Sequence, residues 1–320
     1  MRNTWWLVFT LFAAAPCLGA DTYPSQTVRV IVPFAPGSTV DNTARVVSQR
    51  LTEQFGRQFV VENRAGAGAI IGNEYVARSA PEGYTLLMAE PSFTVLPSMK
   101  KSLPYDTLRD FTPVTLIVRQ TNALVIIPSL NINTLREFIA AAQANPGKFN
   151  YGSGGTGSAT HLWSELFKNA AKVNITHVPY KGSSDVVTAM LGGQVQMLIT
   201  TIPTFLAHVK SGRLRALAVT TDGKRSPSMP DVPSMSEAGI SGMSVYGWQG
   251  LVGPAGMPRD IVNRLQAEVA KALALPAVRD PFVAQAGEVA GTSAEEFSAY
   301  IRSELPRWAE VIKSAGITPE

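Results

Sequence analysis

The chain has 320 residues, 45% of them apolar and 16% charged, with a formal net charge of +4 and one cysteine. Its basic residues are scattered, which leaves no stripe for nucleic acid and no polybasic patch for a membrane surface. One cysteine, Cys17, excludes a disulfide framework and a metal–thiolate site, so a buried core has to supply the stability.

Residues 1–20 read as an export signal: Arg2, the apolar run "WWLVFTLFAAAP" and the small-residue exit "CLGA", with cleavage near Gly19 or Ala20. The run is about a dozen residues, short of the roughly 20 that span a bilayer. Pro16 and Leu18 flank Cys17, which is not the setting of a lipid-anchored cysteine. The mature chain is expected to be exported and soluble.

Strand-like and helix-like segments alternate from there. "TVRVIVPF" (Thr27 to Phe34) is a β-branched run, and Ser38 to Phe55 carries apolar residues at helical spacing. "FVVENR", a Gly/Ala loop from Gly66 to Gly72, a helix around Asn73 to Ser79 and the strand "YTLLMAE" follow. Repeated β-α-β implies a mostly parallel sheet with helices on its faces. "FTPVTLIVRQTNALVIIPSL" offers two strand runs broken at Arg119 to Asn122.

A second α/β series runs through "NTLREFIAAAQANPG", "YGSGGTGSATHL", "ATHLWSELFKNAA", "ITHVPY", "SSDVVTAMLGGQ", "VQMLITT", "IPTFLAHVKSG" and "LRALAVT". The Pro/Ser/Gly-rich "DGKRSPSMPDVPSMSEAGISG" reads as a surface connection, "MSVYGWQGLVGP" as a strand, and two amphipathic helices close the chain. About 300 mature residues exceed what one core organises. The expected plan is one lobe built from both ends of the chain (21–124 plus 245–320) with a second (125–244) inserted.

Two segments share one design, a strand followed by Gly, Ser or Thr residues and then a helix: "PFAPGSTVDNTAR" and "YGSGGTGSATHL". Glycines admit a ligand to the backbone, hydroxyls donate hydrogen bonds, and a helix start offers unpaired N–H groups, so both loops suit an anion. The same residues have local uses. Ser38 or Thr39 can cap a helix, Asp41 can pair with Arg45, Ser158 and Thr160 can cap the next helix, and His161 can satisfy a neighbouring backbone group.

The literal G-x-G-x-x-G at Gly152, Gly154 and Gly157 lacks the context of a dinucleotide site, since only "KFNY" precedes it and Lys172 stands where an acid would hold a ribose. Ser158 replaces the lysine of a phosphate-binding P-loop. No G-x-S-x-G and no metal spacing among His161, His177 and His208 point to an enzyme. A Ser-His-Asp triad is defined by geometry, and spacing does not address it.

"VRVIVPFAPGSTVDNTARVVSQRL", "GYTLLMAEPSFTVLPSM", "LPYDTLRDFTPVTLI", "YGSGGTGSATHL", "HVPYKGSSDVVTAMLGGQVQ" and "HVKSGRLRALAVT", in this order and spacing, resemble the Bug family. These are extracytoplasmic receptors associated with tripartite tricarboxylate transporters. The resemblance implies a type II-like periplasmic binding-protein fold of two α/β lobes closing about a hinge. It also implies a ligand held mainly by backbone amides and hydroxyls.

By position, the resemblance assigns Phe34, Gly37, Ser38, Thr39 and Asp41 to the first jaw and Ser153, Thr156, Gly157 and Ser158 to the second. It adds Ser92 and Phe93 after one strand, and Thr200 and Thr201 after another. The sequence departs from the family pattern at Ser38, at Thr200 and Thr201, where an Asp-Asn pair is frequent, and at Glu90, where a small residue is common.

The implied function is capture of a small carboxylate (a di- or tricarboxylic, amino or aromatic acid) in the periplasm and delivery to a membrane permease. Alternatives are an orphan receptor signalling to a sensor protein and an exported hydrolase. Neither cofactor nor metal is expected, and a monomer is the usual state for such receptors.

Overall fold

In the computed structural model, which describes residues 23–319 except 222 and 315, the first β-branched run forms β1 (Val28–Val32) and leads into α1 (Thr39–Phe55). The expected leader, with Cys17, lies outside the described residues. Ser38 caps α1 by accepting the Asp41 N–H, and Gly56 ends it in the left-handed conformation. β2 (Phe59–Asn63), α2 (Ile70–Ala77), β3 (Thr85–Ala89) and α3 (Ser92–Met99) complete the first series. β1 runs parallel to both β2 and β3.

The expected break at Arg119 to Asn122 is absent, because Phe111–Ile126 is one continuous strand, β4. The second series comprises α4 (Leu135–Ala144), β5 (Asn150–Ser153), α5 (Ala159–Ala171), β6 (Thr176–Pro179), α6 (Ser183–Leu191), β7 (Met197–Thr201), α7 (Leu206–Lys210) and β8 (Arg215–Val219). The chain ends with β9 (Tyr246–Pro254), α8 (Arg259–Ala274), α9 (Pro276–Ala284), β10 (Gly287–Val289) and α10 (Ala294–Ser314). α9 and β10 have no counterpart among the expected elements.

Strand order is β2-β1-β3-β9-β4-β7-β5-β6, with β8 and β10 also on β4. β4 changes partner where a turn was expected: Thr121 still pairs with Tyr246 of β9, whereas Asn122 pairs with Thr201 of β7. Gln120 and Asn122 are buried there rather than turned outward. Asn122 Nδ2 donates to the Val245 carbonyl and the Asn122 backbone carbonyl accepts the Thr220 N–H, while Oδ1 has no partner among the described residues. Since β4 is antiparallel to β7, β8, β9 and β10, the sheet is mixed, with parallel strands toward its two ends.

Each half of the sheet is covered on both faces. In the first half Val30, Val47, Leu86 and Leu265 pack on one side and Ile31, Phe93, Trp248 and Phe297 on the other. In the second half Leu124, Phe138, Phe167 and Ile199 oppose Val125, Val186, Leu198 and Phe205. Two helices join both halves. α10 sends Phe297 and Ile301 to one core and Trp308, Val311 and Ile312 to the other, and α3 divides Phe93 from Val95 and Met99 in the same way. Among the described residues no helix is long and apolar enough to cross a membrane.

The first glycine of the G-x-G-x-x-G stretch has a packing role. A Cβ at Gly152 would stand 2.2 Å from Val186 Cγ1, so α6 could not approach β5. Gly152→Ala is expected to lower stability by about 1–3 kcal/mol in denaturant unfolding, the usual cost of overfilling a core. Adding Val186→Ala should recover part of that loss, and a neutral Gly152→Ala would contradict this packing.

Candidate functional site

The loops that follow β1, β2, β3 and β5 meet at a cavity of about 410 Å³, within the range of small-molecule sites. Phe34, Ala67, Gly68, Glu90 and Ser92 contribute from the first half, with Val95, Leu96, Met99 and Lys100 along α3. Gly154, Thr156, Gly157, Ser158 and Ala159 face them from the second half. An open depression of similar volume between α8 and α10 lies away from these loops and is edged by the exposed Arg259–Glu295 pair.

The wall after β5 is neutral and rich in donors. Ser158 caps α5 by accepting the His161 N–H at 3.3 Å, and Thr160 Oγ1 accepts the Gly154 N–H at 2.8 Å. Ala159 and Thr160, as the first residues of α5, have N–H groups with no acceptor within the helix. Gly157 sits at a φ of +78°, and a Cβ on it would come 2.5 Å from Met99 Cε, so the two walls touch here. Only glycine meets both demands.

A stack of rings supports this loop from behind. His161 Nδ1 accepts the Gly157 N–H at 3.0 Å, and its ring lies 4.0 Å from that of His177. His177 Nε2 is 2.6 Å from Ser153 Oγ, which also accepts the Gly155 N–H. Next to them the Tyr151 hydroxyl donates to Glu165, itself paired with Lys168 at 2.7 Å. Burial, reinforced by the neighbouring His177, pushes His161 down to about 4. The neutral ring therefore keeps the lone pair that the Gly157 N–H needs.

The loop after β1 is built differently. Asp41, 1% exposed, accepts from the Gly37 N–H at 2.8 Å, Asn63 Nδ2 at 2.8 Å and Arg45 Nε at 2.9 Å. Burial alone would raise its pKa, but these donors outweigh burial and hold it at about 2. Asn63 also donates to the Phe34 carbonyl at 3.0 Å, which sets that residue's place in the wall. The carboxylate thus organises its own loop and occupies the Gly37 N–H.

Of the thirteen residues assigned from the resemblance, Phe34, Ser92, Thr156, Gly157 and Ser158 line the cavity. Gly37, Ser38, Thr39 and Asp41 belong to the α1 cap beside it. Ser153 is 0% exposed and bonds inward to His177, and Phe93 packs edge-on against Phe111 at 4.9 Å in the core. Thr200 is buried in β7, and Thr201 bonds to Thr204.

The resemblance did not supply Ala67, Gly68, Val95, Leu96, Met99, Lys100, Gly154 and Ala159. The signal for α3 was present in "FTVLPSM", a stretch apolar on all sides, as a helix buried between two cores has to be.

Glu90 does face the cavity. Its Oε1 accepts the Ser92 N–H at 2.8 Å, and burial pushes its pKa up to about 7, a rise that the hydrogen bonds from Ser92 only partly offset.

Acid should act on the ring stack before it acts on Asp41. Because His161 is held near 4 in the folded chain and sits near 6.5 when unfolded, the unfolded state binds more protons between those values. Its contribution is complete above about 6.5 and is lost as pH falls toward 4, whereas that of Asp41 fades only below its ordinary value of 3.8. Glu90, raised to about 7, gains stability over the same interval and opposes this loss, so the test is a difference: the unfolding free energy of His161→Gln should decline less with acid between pH 6.5 and 4 than that of the parent. An unchanged slope in the variant would remove the histidine from this role.

A family model described as "Tripartite tricarboxylate transporter family receptor" matches residues 43–317. Protein BugT of Bordetella pertussis is 37% identical over 311 residues, which cover 97% of this chain and 95% of that protein. Among solved structures, an R. palustris protein with adipate is 34% identical and superposes with a TM-score of 0.83, covering 93% of this chain and 100% of the other. MatC from Rhodopseudomonas palustris with bound malate is 29% identical, with a TM-score of 0.79 and coverage of 91% and 100%. A family-model match over most of the chain, with a relative 37% identical over nearly its whole length, establishes that the chain belongs to the tripartite tricarboxylate transporter receptor family.

Proposed function

We propose that this receptor binds a small carboxylate in the periplasm, closes two lobes around it and presents it to a tripartite-type permease. The observation that carries the reading is the neutral, donor-rich start of α5, which opens on a 410 Å³ cavity with Met99 of the facing wall against Gly157. Thr156, Ser158 and the first N–H groups of α5 hold a carboxylate there. Phe34, Val95 and Leu96 flank the carbon skeleton. Relatives seen with adipate and malate support a dicarboxylic acid as the ligand class.

The lobes are 21–124 with 245–320, and 125–244. Their relative motion bends the chain where β4 exchanges partners at 121–122 and where the chain returns at 245–246. A ligand bonded from both walls favours the closed arrangement because it loses half its partners in the open one.

One contact favours a second reading. Ser153 Oγ and His177 Nε2 stand 2.6 Å apart, the spacing of a nucleophile and its base. Ser153 is fully buried beneath its loop, however, and cannot meet a substrate. Incubation with activated esters should give no turnover; turnover abolished by Ser153→Ala would install the hydrolase instead.

A thermal-shift screen against mono-, di- and tricarboxylates and aromatic acids tests the binding role. A ligand at a hundred times its Kd adds about 2.7 kcal/mol to stability. At least one dicarboxylate should raise Tm, and no response to any acid would overturn the reading. Thr156→Ala should weaken binding about tenfold or more with stability unchanged, since hydrogen bonds to a charged group contribute about 1.5–3 kcal/mol. Ser158→Ala should weaken binding and also cost about 1 kcal/mol of stability through its cap.

A further inference from the structure

α3 and α5 begin at this cavity and α1 begins beside it, and the N–H groups at the three starts are satisfied in different ways. At α1 the Asp41 carboxylate takes the Gly37 N–H, and at α3 the Glu90 carboxyl takes the Ser92 N–H. α1 is capped by the Ser38 hydroxyl but holds a buried carboxylate in its first turn, whereas the start of α5 has hydroxyls alone. The donors for an anionic ligand are therefore concentrated on one wall, and the opposite wall presents an acid. Among the described residues lining the cavity, Glu90 is the only carboxylate and Lys100 the only cation.

We propose that Glu90 determines selectivity by carrying a proton against the second carboxylate of a dicarboxylic ligand, so that capture of this ligand takes up one proton from solvent. The inference rests on the carboxylate-receptor reading above. Two ionised carboxylates cannot share a hydrogen bond, whereas a carboxylic acid and a carboxylate can. Glu90 Oε1 already accepts from Ser92, and the acid proton on Oε2 gives that wall a further donor beside Lys100. The group is poised for this: burial has already brought its titration to about 7, and an arriving carboxylate pushes in the same direction.

Other ionisable groups nearby do not produce the same signal. Tyr105, which faces Glu90 and accepts from Asn73, is pushed above the ordinary tyrosine range by burial. His161 and His177, behind the α5 loop, are pushed below theirs. Lys100 shares the cavity wall and needs its own control.

Calorimetric titration of the purified protein with a dicarboxylate series from malate to adipate, between pH 6 and 8.5 and in buffers of differing protonation enthalpy, tests the coupling. Affinity should be nearly constant below about pH 7 and fall about tenfold per unit above it, with close to one proton taken up at pH 8. Hexanoate, which has no second carboxylate, should bind without proton uptake. Glu90→Gln keeps an acceptor for the Ser92 N–H and supplies a permanent donor. It should bind the dicarboxylates independently of pH and more tightly than the parent at pH 8, while Lys100→Met should leave the proton uptake in place.

Proton release, or a slope unchanged in Glu90→Gln, would overturn the proposal. Binding without any proton exchange would overturn this inference alone. Failure of the whole series and of every other acid to bind would overturn the receptor reading with it.

Discussion

A helix that starts at a ligand cavity has backbone donors to satisfy, and the acceptor chosen decides what the cavity can hold. In this receptor α3 meets the demand with the Glu90 carboxylate, α1 adds the buried Asp41 carboxylate to its Ser38 cap, and α5 meets it with the Ser158 hydroxyl, while Thr160 bonds the loop before it. An acid at a helix start cancels the positive end of the dipole, whereas a hydroxyl leaves it in place for a ligand. The asymmetry of the two walls follows from these choices. Charge enters the cavity wall through Glu90 and Lys100, and recognition falls to oriented N–H and O–H groups.

Oriented groups are useful only when held still, and that accounts for the chemistry behind each loop. Under the α5 loop, histidines kept neutral by burial accept from Gly157 and bond to Ser153, so the loop backbone is fixed from inside the lobe. Beside the α1 loop, Asp41 gathers Gly37, Asn63 and Arg45, and Asn63 in turn places Phe34. Many residues that look like ligand contacts by type are the supports of the few that face the cavity.

Closure of two walls needs lobes that are joined yet able to move. β4 supplies the join by passing from one half of the sheet to the other without a break, its buried Asn122 bonded at the crossing. α10 adds a second connection, since Trp308 and Ile312 pack on the second half while Phe297 packs on the first. The last turns of α10 thus lie against the lobe opposite the one to which chain order allots them. α3 repeats the arrangement and carries Met99 to its contact with Gly157.

Local pattern determined much of this protein. Apolar period and capping residues mark α1, α5 and most strands, because these depend on neighbours within a few positions, and composition alone marks the two glycine-hydroxyl loops as suited to an anion. Tertiary structure alone decided which of their residues face the cavity. Asp41 and Ser153 turn to partners far along the chain or behind the loop, Asn63 and His177. Gly152 proved to be a packing glycine because Val186 lies over it, and the polar stretch around Gln120 and Asn122 stayed in a strand because the fold supplied partners for it. Glu90 was visible as a departure from pattern, but its meaning depends on a cavity formed by four loops, and burial within such an assembly is not encoded in any local stretch of residues.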